Sequence, residues 1–158
     1  MSPNPEPELD RKVLHVDDDP DILALMKKTL SIRGYTPHSI SDPALVIPWL
    51  AKSTTRIVLL DIEMPGKDGL ALLREIKKFD GGIQVIMLTG LVSMSTIIRA
   101  TRLGAEDCFF KPIENLDDVL DSVDRAHEKM LRWWRVLKEW RARKSMGITE
   151  DQPAIFGS

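Results

Sequence analysis

Four short apolar runs in this chain each break off at a polar or charged residue and fall straight into a turn. Val13-Leu14-His15-Val16 runs into Asp17-Asp18-Asp19. Ile57-Val58-Leu59-Leu60 runs into Asp61, with Pro65-Gly66 just beyond. Val85-Ile86-Met87-Leu88 runs into Thr89-Gly90, and Cys108-Phe109-Phe110 runs into Lys111-Pro112. Helical stretches lie between them. Strands this uniformly apolar are buried on both faces, which is the habit of a parallel sheet. Ligands of such sheets bind outside the carboxyl ends of the strands. Asp17, Asp18, Asp61, Thr89 and Lys111 are therefore expected at one edge.

The punctuation between the runs supports this. The first strand is predicted over 12–16. Asp19 then reads as a helix cap and Pro20 as the first helical residue, because Asp accepts orphan amide bonds and Pro has no amide to leave unpaired. Ile22, Leu25, Met26 and Leu30 give that helix an apolar stripe, and Gly34 ends it. A weaker strand follows over 35–40, with Pro37 marking an edge position. Asp42-Pro43 repeats the cap signature before a short helix that Pro48 should kink or shorten. Strands over 56–60, 84–88 and 108–110 alternate with helices over about 68–78 and 93–102. In the first of these helices Leu70, Leu73 and Ile76 face inward. Asn115 caps a last helix, with Asp117 and Asp118 in its first turn, where negative charge suits the dipole. The expected architecture is α/β, a five-stranded parallel sheet in a (βα)5 three-layer sandwich with right-handed crossovers.

At 158 residues, 43% of them hydrophobic, the chain is read as one domain with tails. The divisions are a flexible N-terminal tail over 1–10, the domain over 11–126, a helical extension over 127–144 and a C-terminal tail over 145–158. The net charge of −2 gives no global pull toward nucleic acid or membrane. No apolar run is long enough to span a bilayer, and the Pro-rich start is not a signal peptide. The single cysteine, Cys108, excludes an internal disulfide and fits a reducing compartment, so a cytoplasmic protein is expected. Cys108 reads as a small core filler. His15, His38 and His127 have no metal-ligand spacing and read as structural.

The residues gathered at the sheet edge suggest a chemistry. Three carboxylates in one place repel, and a hard divalent cation is the usual remedy. Mg2+ suits a site with few carboxylates because it keeps several waters and accepts a phosphate. Lys111 supplies a mobile point charge for a phosphate oxygen. Thr89 supplies a hydroxyl donor. A carboxylate flanked by a metal, a lysine and a hydroxyl is equipped to attack phosphorus and become an aspartyl phosphate.

At this point the chain resembles the receiver domains of two-component response regulators. The residues that carry the resemblance are Val16-Asp17-Asp18-Asp19-Pro20, Leu60-Asp61-Ile62-Glu63-Met64-Pro65-Gly66-Lys67-Asp68-Gly69, Leu88-Thr89-Gly90, and Gly104-Ala105-Glu106-Asp107 through Phe110-Lys111-Pro112. Any one motif is weak, but four in order at natural spacing are specific. The resemblance implies a flavodoxin-like fold over about 11–126. It implies that Asp61 accepts a phosphoryl group from a sensor histidine kinase or a phosphotransfer protein. Asp18, Asp61 and the Glu63 backbone carbonyl would hold Mg2+, Asp17 would act through water, and Thr89 and Lys111 would contact the phosphoryl oxygens. Glu63 and Leu91 stand where family members tune dephosphorylation.

Two positions depart from the family pattern. Cys108 replaces the usual Tyr or Phe of the switch that pairs with Thr89, and Gly90 replaces a more common Ala. The signal is therefore expected to pass mainly through the loop at 90–93 and the helix after it. No steady turnover of a free substrate is expected, although the domain would catalyse its own phosphorylation and dephosphorylation. Two rival readings remain. One is a Mg-dependent aspartate-nucleophile phosphohydrolase, for which the chain lacks the Asp-x-Asp-Thr/Val pattern and room for a cap domain. The other is a degenerate receiver that acts only as a dimerisation scaffold, against which the complete acid, threonine and lysine set argues.

The last helical pattern outruns the sheet. Leu116, Val119, Val123, Ala126, Met130, Trp133, Leu137 and Trp140 follow an a/d heptad. Beyond 126 no sheet is expected beneath it, which leaves Trp133, Trp134 and Trp140 exposed. The extension, a candidate coiled coil, is expected to pair with a second copy or with a partner domain through Met130, Trp133, Trp134, Leu137 and Trp140. Its Lys and Arg residues read as a solvated face around an apolar seam. Nucleic-acid binding is not expected, since no helix-turn-helix follows.

Overall fold

A computed structural model of the chain describes residues 10–90 and 93–147. Most of both expected tails, and Leu91 and Val92, lie outside the described residues. In chain order the elements are β1 (Lys12–Val16), α1 (Pro20–Ile32), β2 (Thr36–Ile40), a 3-10 turn (Pro43–Leu45), α2 (Val46–Ala51), β3 (Ile57–Asp61), β4 (Glu63–Met64), β5 (Lys67–Asp68), α3 (Gly69–Phe79), β6 (Gln84–Thr89), α4 (Met94–Arg102), β7 (Asp107–Phe110) and α5 (Leu116–Ser145).

Five strands pair in parallel in the order β2-β1-β3-β6-β7. Alternate side chains of each strand enter opposite cores. Leu14, Val16, Val58, Leu60, Val85 and Met87 pack with Val46 and Leu50 of α2, with Leu70, Leu73 and Ile76 of α3, and with Ala100 of α4. Val13, Ile57, Leu59, Ile86 and Leu88 pack with Met26 and Leu30 of α1 and with Val119, Leu120 and Val123 of α5. The result is the three-layer sandwich expected from the alternation, in the flavodoxin-like form that the resemblance implies. Because β2 lies outside β1 while β3 lies inside, the chain reverses direction between β1 and β3. That reversal opens a crevice at the carboxyl ends of those two strands.

The caps follow the residue chemistry. Asp19 accepts the Asp21 amide at 2.9 Å, Asp68 the Leu70 amide at 3.0 Å, Ser93 the Thr96 amide at 3.1 Å and Asn115 the Asp117 amide at 3.0 Å. Three local features refine the expectations. Leu25 is exposed, so the apolar stripe of α1 narrows to Ile22, Met26 and Leu30. Pro48 lies in a helix of only 6 residues, in line with the shortening expected. A 3-10 turn delays the start of α2, so Pro48 falls in its first turn, where backbone amides have no intrahelical partner anyway. The Pro65-Gly66 turn is the tip of a small antiparallel hairpin, with Glu63 opposite Asp68 and Met64 opposite Lys67.

The long helix α5 has 30 residues, and its last buried ones are Ala126 and His127. Gln84 of β6 pins it there, its side-chain amide donating to the Ala126 carbonyl at 2.6 Å. Beyond that point Trp133, Leu137 and Trp140 are exposed, but Trp134 and Met130 are not. The expectation that Trp134 would be exposed is therefore corrected. Met130, Trp133, Trp134 and Leu137 close a groove against Arg56, Gly82 and Gln84 at the amino ends of β3 and β6. The helix thus continues to cover the lower rim of the sheet after leaving its face. Arg141 lies 5.6 Å from the Trp134 ring centroid and Lys144 4.9 Å from that of Trp140, so part of the basic stretch covers indole faces. Among the described residues no helix is long and apolar enough to cross a membrane.

One contact fixes the geometry of the site edge. Gly69 begins α3, and its amide donates to the Ile62 carbonyl at 2.9 Å. A Cβ at this position would stand 2.3 Å from the Asp61 carbonyl oxygen and 2.5 Å from the Ile62 Cα. Only glycine allows so close an approach of backbone to backbone. Gly69→Ala is expected to destabilise the fold by about 1–3 kcal/mol, the usual range for overpacking, with the urea midpoint lowered at unchanged slope. An unchanged midpoint would contradict this reading.

Candidate functional site

Asp61 is the last residue of β3 and is almost wholly buried. Its Oδ1 accepts the Glu63 amide at 3.1 Å, which turns the chain into the β4–β5 hairpin and orients the carboxylate. Asp17 and Asp18 follow the end of β1, the former fully buried and the latter exposed. Asp17 Oδ1 accepts the Asp19 amide at 3.0 Å, so the residue that caps α1 is itself held by Asp17. One carboxylate oxygen from each of Asp17, Asp18 and Asp61 lies within 4.8 Å of the others.

Lys111 reaches this cluster from the loop after β7. Its Nζ stands 2.6 Å from Asp17 Oδ2 and 3.3 Å from Asp61 Oδ2. Its backbone amide donates to the Thr89 carbonyl at 2.8 Å, which ties the lysine to the end of β6, where Thr89 is fully buried. Glu63, exposed on β4, extends its Oε2 to within 3.5 Å of the space a Cβ at Gly90 would occupy. Cys108 is half-buried on β7 and packs against the core beneath α2, α3 and α4. The structure thus brings Asp17, Asp18, Asp61, Glu63, Thr89 and Lys111 to one edge. Leu91 lies outside the described residues. Met130, Trp133, Trp134, Leu137 and Trp140 are elsewhere, on the extension of α5.

The electrostatics follow from burial. Burial, and then the charge of Asp17, pushes the Asp61 carboxyl above the usual carboxylate range, against the pull of Lys111 and of the Glu63 amide. Burial alone would draw the Lys111 ammonium down. The hydrogen bond and charge of Asp17, followed by those of Asp61, outweigh it and leave Lys111 above its ordinary value. Three hard oxygen donors, one of them open to solvent at Asp18, fit a small divalent cation that keeps part of its water.

Two further residues belong to this edge. Gly69 stands in the motif after Asp68, and its role is the close approach described above. The other is His15, expected to be structural. It lies two residues before Asp17 on the same face of β1, 1% exposed, with Nε2 3.8 Å from Asp17 Oδ2. Neither ring nitrogen has a hydrogen-bond partner. Burial holds its pKa down to about 4 despite the nearby Asp17 charge, so the imidazole is neutral at neutral pH. The period-two alternation that puts 15 and 17 on one face was the available signal.

Residues 13–124 match the family model of the response regulator receiver domain. The C4-dicarboxylate transport transcriptional regulatory protein DctD of Rhizobium meliloti (strain 1021) is 36% identical over 145 residues, a match covering 90% of this chain and 30% of that protein. Sporulation initiation phosphotransferase F of Bacillus subtilis (strain 168) is 30% identical over 117 residues, covering 74% of this chain and 94% of that protein. The solution structure of the beryllofluoride-activated NtrC4 receiver domain dimer is similar at a TM-score of 0.72 and 27% identity, covering 75% of this chain and 98% of that one. The chain spans only 28% and 30% of the length of the two DctD proteins it matches.

The raised Asp61 carboxyl has a consequence for stability. A carboxyl that titrates higher in the folded than in the unfolded chain binds protons more tightly when folded. It therefore weakens the fold at neutral pH, and the penalty fades as pH falls from the raised folded value to the ordinary carboxylate range. With divalent ions chelated, Asp61→Asn is expected to be more stable than wild type near pH 7, since Lys111 keeps its closer contact to Asp17. The advantage should vanish by about pH 3.5, below the ordinary carboxylate pKa. Urea unfolding at both pH values checks this, and a variant less stable than wild type at neutral pH would contradict it.

Proposed function

The chain belongs to the response regulator receiver domain family, and on that footing we propose that it is a signalling module that takes a phosphoryl group on Asp61 and passes the change to a partner. The observation that carries this reading is the Lys111 ammonium set between Asp17 and Asp61 at the mouth of a three-carboxylate cluster. The donor is a phosphohistidine on a sensor histidine kinase or a phosphotransfer protein. An Asp61 oxygen attacks phosphorus as the phosphorus–nitrogen bond to the donor imidazole breaks, and the imidazole leaves with that electron pair. The product is an acyl phosphate on Asp61. Asp18, Asp61 and the Glu63 backbone carbonyl, with Asp17 acting through water, would hold Mg2+, which would supply charge neutralisation for the phosphoryl oxygens.

The chain's own groups do the rest. Asp61 is held in one orientation by the Glu63 amide. Lys111 is already 3.3 Å from the acceptor carboxylate, so a short swing from Asp17 brings its charge onto a phosphoryl oxygen. Thr89, at the end of the neighbouring β6, donates its hydroxyl to another. Water later attacks the acyl phosphate and releases inorganic phosphate, so the domain resets itself without turning over a free substrate. A reducing compartment, the cytoplasm, is the setting that suits the lone half-buried Cys108.

The extension of α5 supplies the output surface in this proposal. Trp133 is 67% exposed and Trp140 46%, more apolar surface than a lone helix leaves in water without reason. Trp133, Leu137 and Trp140 would pair with the same residues of a second copy, while Met130 and Trp134 brace the helix against the sheet rim. The NtrC4 receiver domain, a dimer when activated by beryllofluoride, supports this reading by similarity.

Two outcomes check the proposal. With acetyl phosphate and Mg2+, intact mass should show close to one phosphoryl group per chain on wild type and none on Asp61→Asn. Lys111→Ala should slow labelling by about 100- to 1000-fold, as removal of a single charge-stabilising donor does elsewhere. Steady hydrolysis of a phosphate ester with no labelled chain would favour a phosphohydrolase instead. Sedimentation should find two-chain particles for wild type and single chains when Trp133→Glu and Leu137→Glu are combined. Single chains of wild type at high concentration, with and without phosphorylation, would remove the dimer from the proposal.

A further inference from the structure

His15 is a polar side chain buried where polar side chains are costly. It is 1% exposed, and it shares its face of the sheet with Val13 and the apolar side chains beneath α1 and α5. Neither Nδ1 nor Nε2 has a hydrogen-bond partner, so the desolvation of both goes uncompensated. A leucine or valine would fill the position at no such cost, so packing alone does not account for the imidazole. Asp17 Oδ2 lies 3.8 Å from Nε2, just beyond hydrogen-bond range. That same oxygen is the one Lys111 now holds at 2.6 Å.

The phosphoryl transfer proposed above, on which this inference rests, takes Lys111 away. Once its ammonium moves to a phosphoryl oxygen on Asp61, Asp17 Oδ2 loses its short hydrogen bond. Asp17 is fully buried, so water does not replace the lost donor freely. A buried charged oxygen without a partner costs more than a neutral one. We propose that His15 is a positioning residue for Asp17: it donates Nε2–H to Asp17 Oδ2 when Lys111 leaves, and so keeps that carboxylate aimed at the cation and the phosphorylated site. Closing the distance from 3.8 Å to hydrogen-bond length requires less than about 1 Å of movement by either ring or carboxylate. The tautomer is available, because Nδ1 has no partner that would force the proton onto it.

The test separates the resting from the activated state. The full chain is titrated first with Mg2+ alone, then with beryllofluoride in excess Mg2+, for wild type, His15→Leu and His15→Gln. His15→Leu is expected to leave Mg2+ affinity unchanged and to be no less stable than wild type. It should bind beryllofluoride about 10-fold or more weakly, the loss of one hydrogen bond to a charged group. His15→Gln, whose amide reaches toward the place of Nε2, should recover most of that loss. In wild type the His15 Nε2–H proton should shift downfield and exchange more slowly with water when beryllofluoride binds, a readout that needs no variant to fold. Equal beryllofluoride affinity in wild type and His15→Leu, or a His15 proton indifferent to beryllofluoride, overturns the inference while leaving Asp61 as phosphoacceptor. A wild type that takes up neither beryllofluoride nor a phosphoryl group overturns both.

Discussion

The Lys111 ammonium and the carboxylates around it form the interaction on which the rest of this site depends. Three acids within 4.8 Å of one another repel strongly in a pocket where two of them are buried. Lys111 offsets that repulsion without abolishing it. Asp61 still titrates high, through burial first and then the Asp17 charge. A site left in this condition has a standing demand for positive charge, and that demand is what a divalent cation would meet. In the proposed transfer the same lysine is the group best placed to move, because it already spans Asp17 and Asp61.

The fold delivers these groups by placing strand ends. No two of β1, β3, β6 and β7 are consecutive in the chain without a helix between them, yet their carboxyl ends converge. The reversal between β2 and β3 opens the crevice over β1 and β3, and Gly69 lets α3 begin hard against the backbone of Asp61. The Glu63 amide and the Asp19 amide then fix one oxygen of Asp61 and of Asp17 respectively. The second oxygens face Lys111, so each buried acid has one oxygen committed to structure and one available to chemistry.

Much of this was legible in the residues. Buried strands announce themselves as unbroken apolar runs, and Asp19-Pro20 and Asn115 mark helix starts through chemistry that acts within a few residues. The gathering of Asp17, Asp18, Asp61, Thr89 and Lys111 followed from the parallel-sheet rule alone. What escaped was what depends on distance across the fold. Heptad spacing predicted that α5 would outrun the sheet, but not that Trp134 would fold against the rim beside Gln84. Periodicity placed Leu25 on the inner stripe of α1, but it is exposed while its neighbour Met26 is fully buried. His15 looked like any strand residue, since nothing in a linear pattern reveals that both its nitrogens are unpaired or how near Asp17 Oδ2 lies.

The central claim is that this cluster exists to let one particular oxygen carry phosphorus. Borohydride reduces an aspartyl phosphate to homoserine and leaves free carboxylates untouched. Peptide mass spectrometry after acetyl phosphate, Mg2+ and borohydride therefore reads the acceptor directly. The account predicts homoserine at position 61 alone, and only when Mg2+ is present. Homoserine at position 17 or 18, or none anywhere in a chain that remains folded, would contradict it.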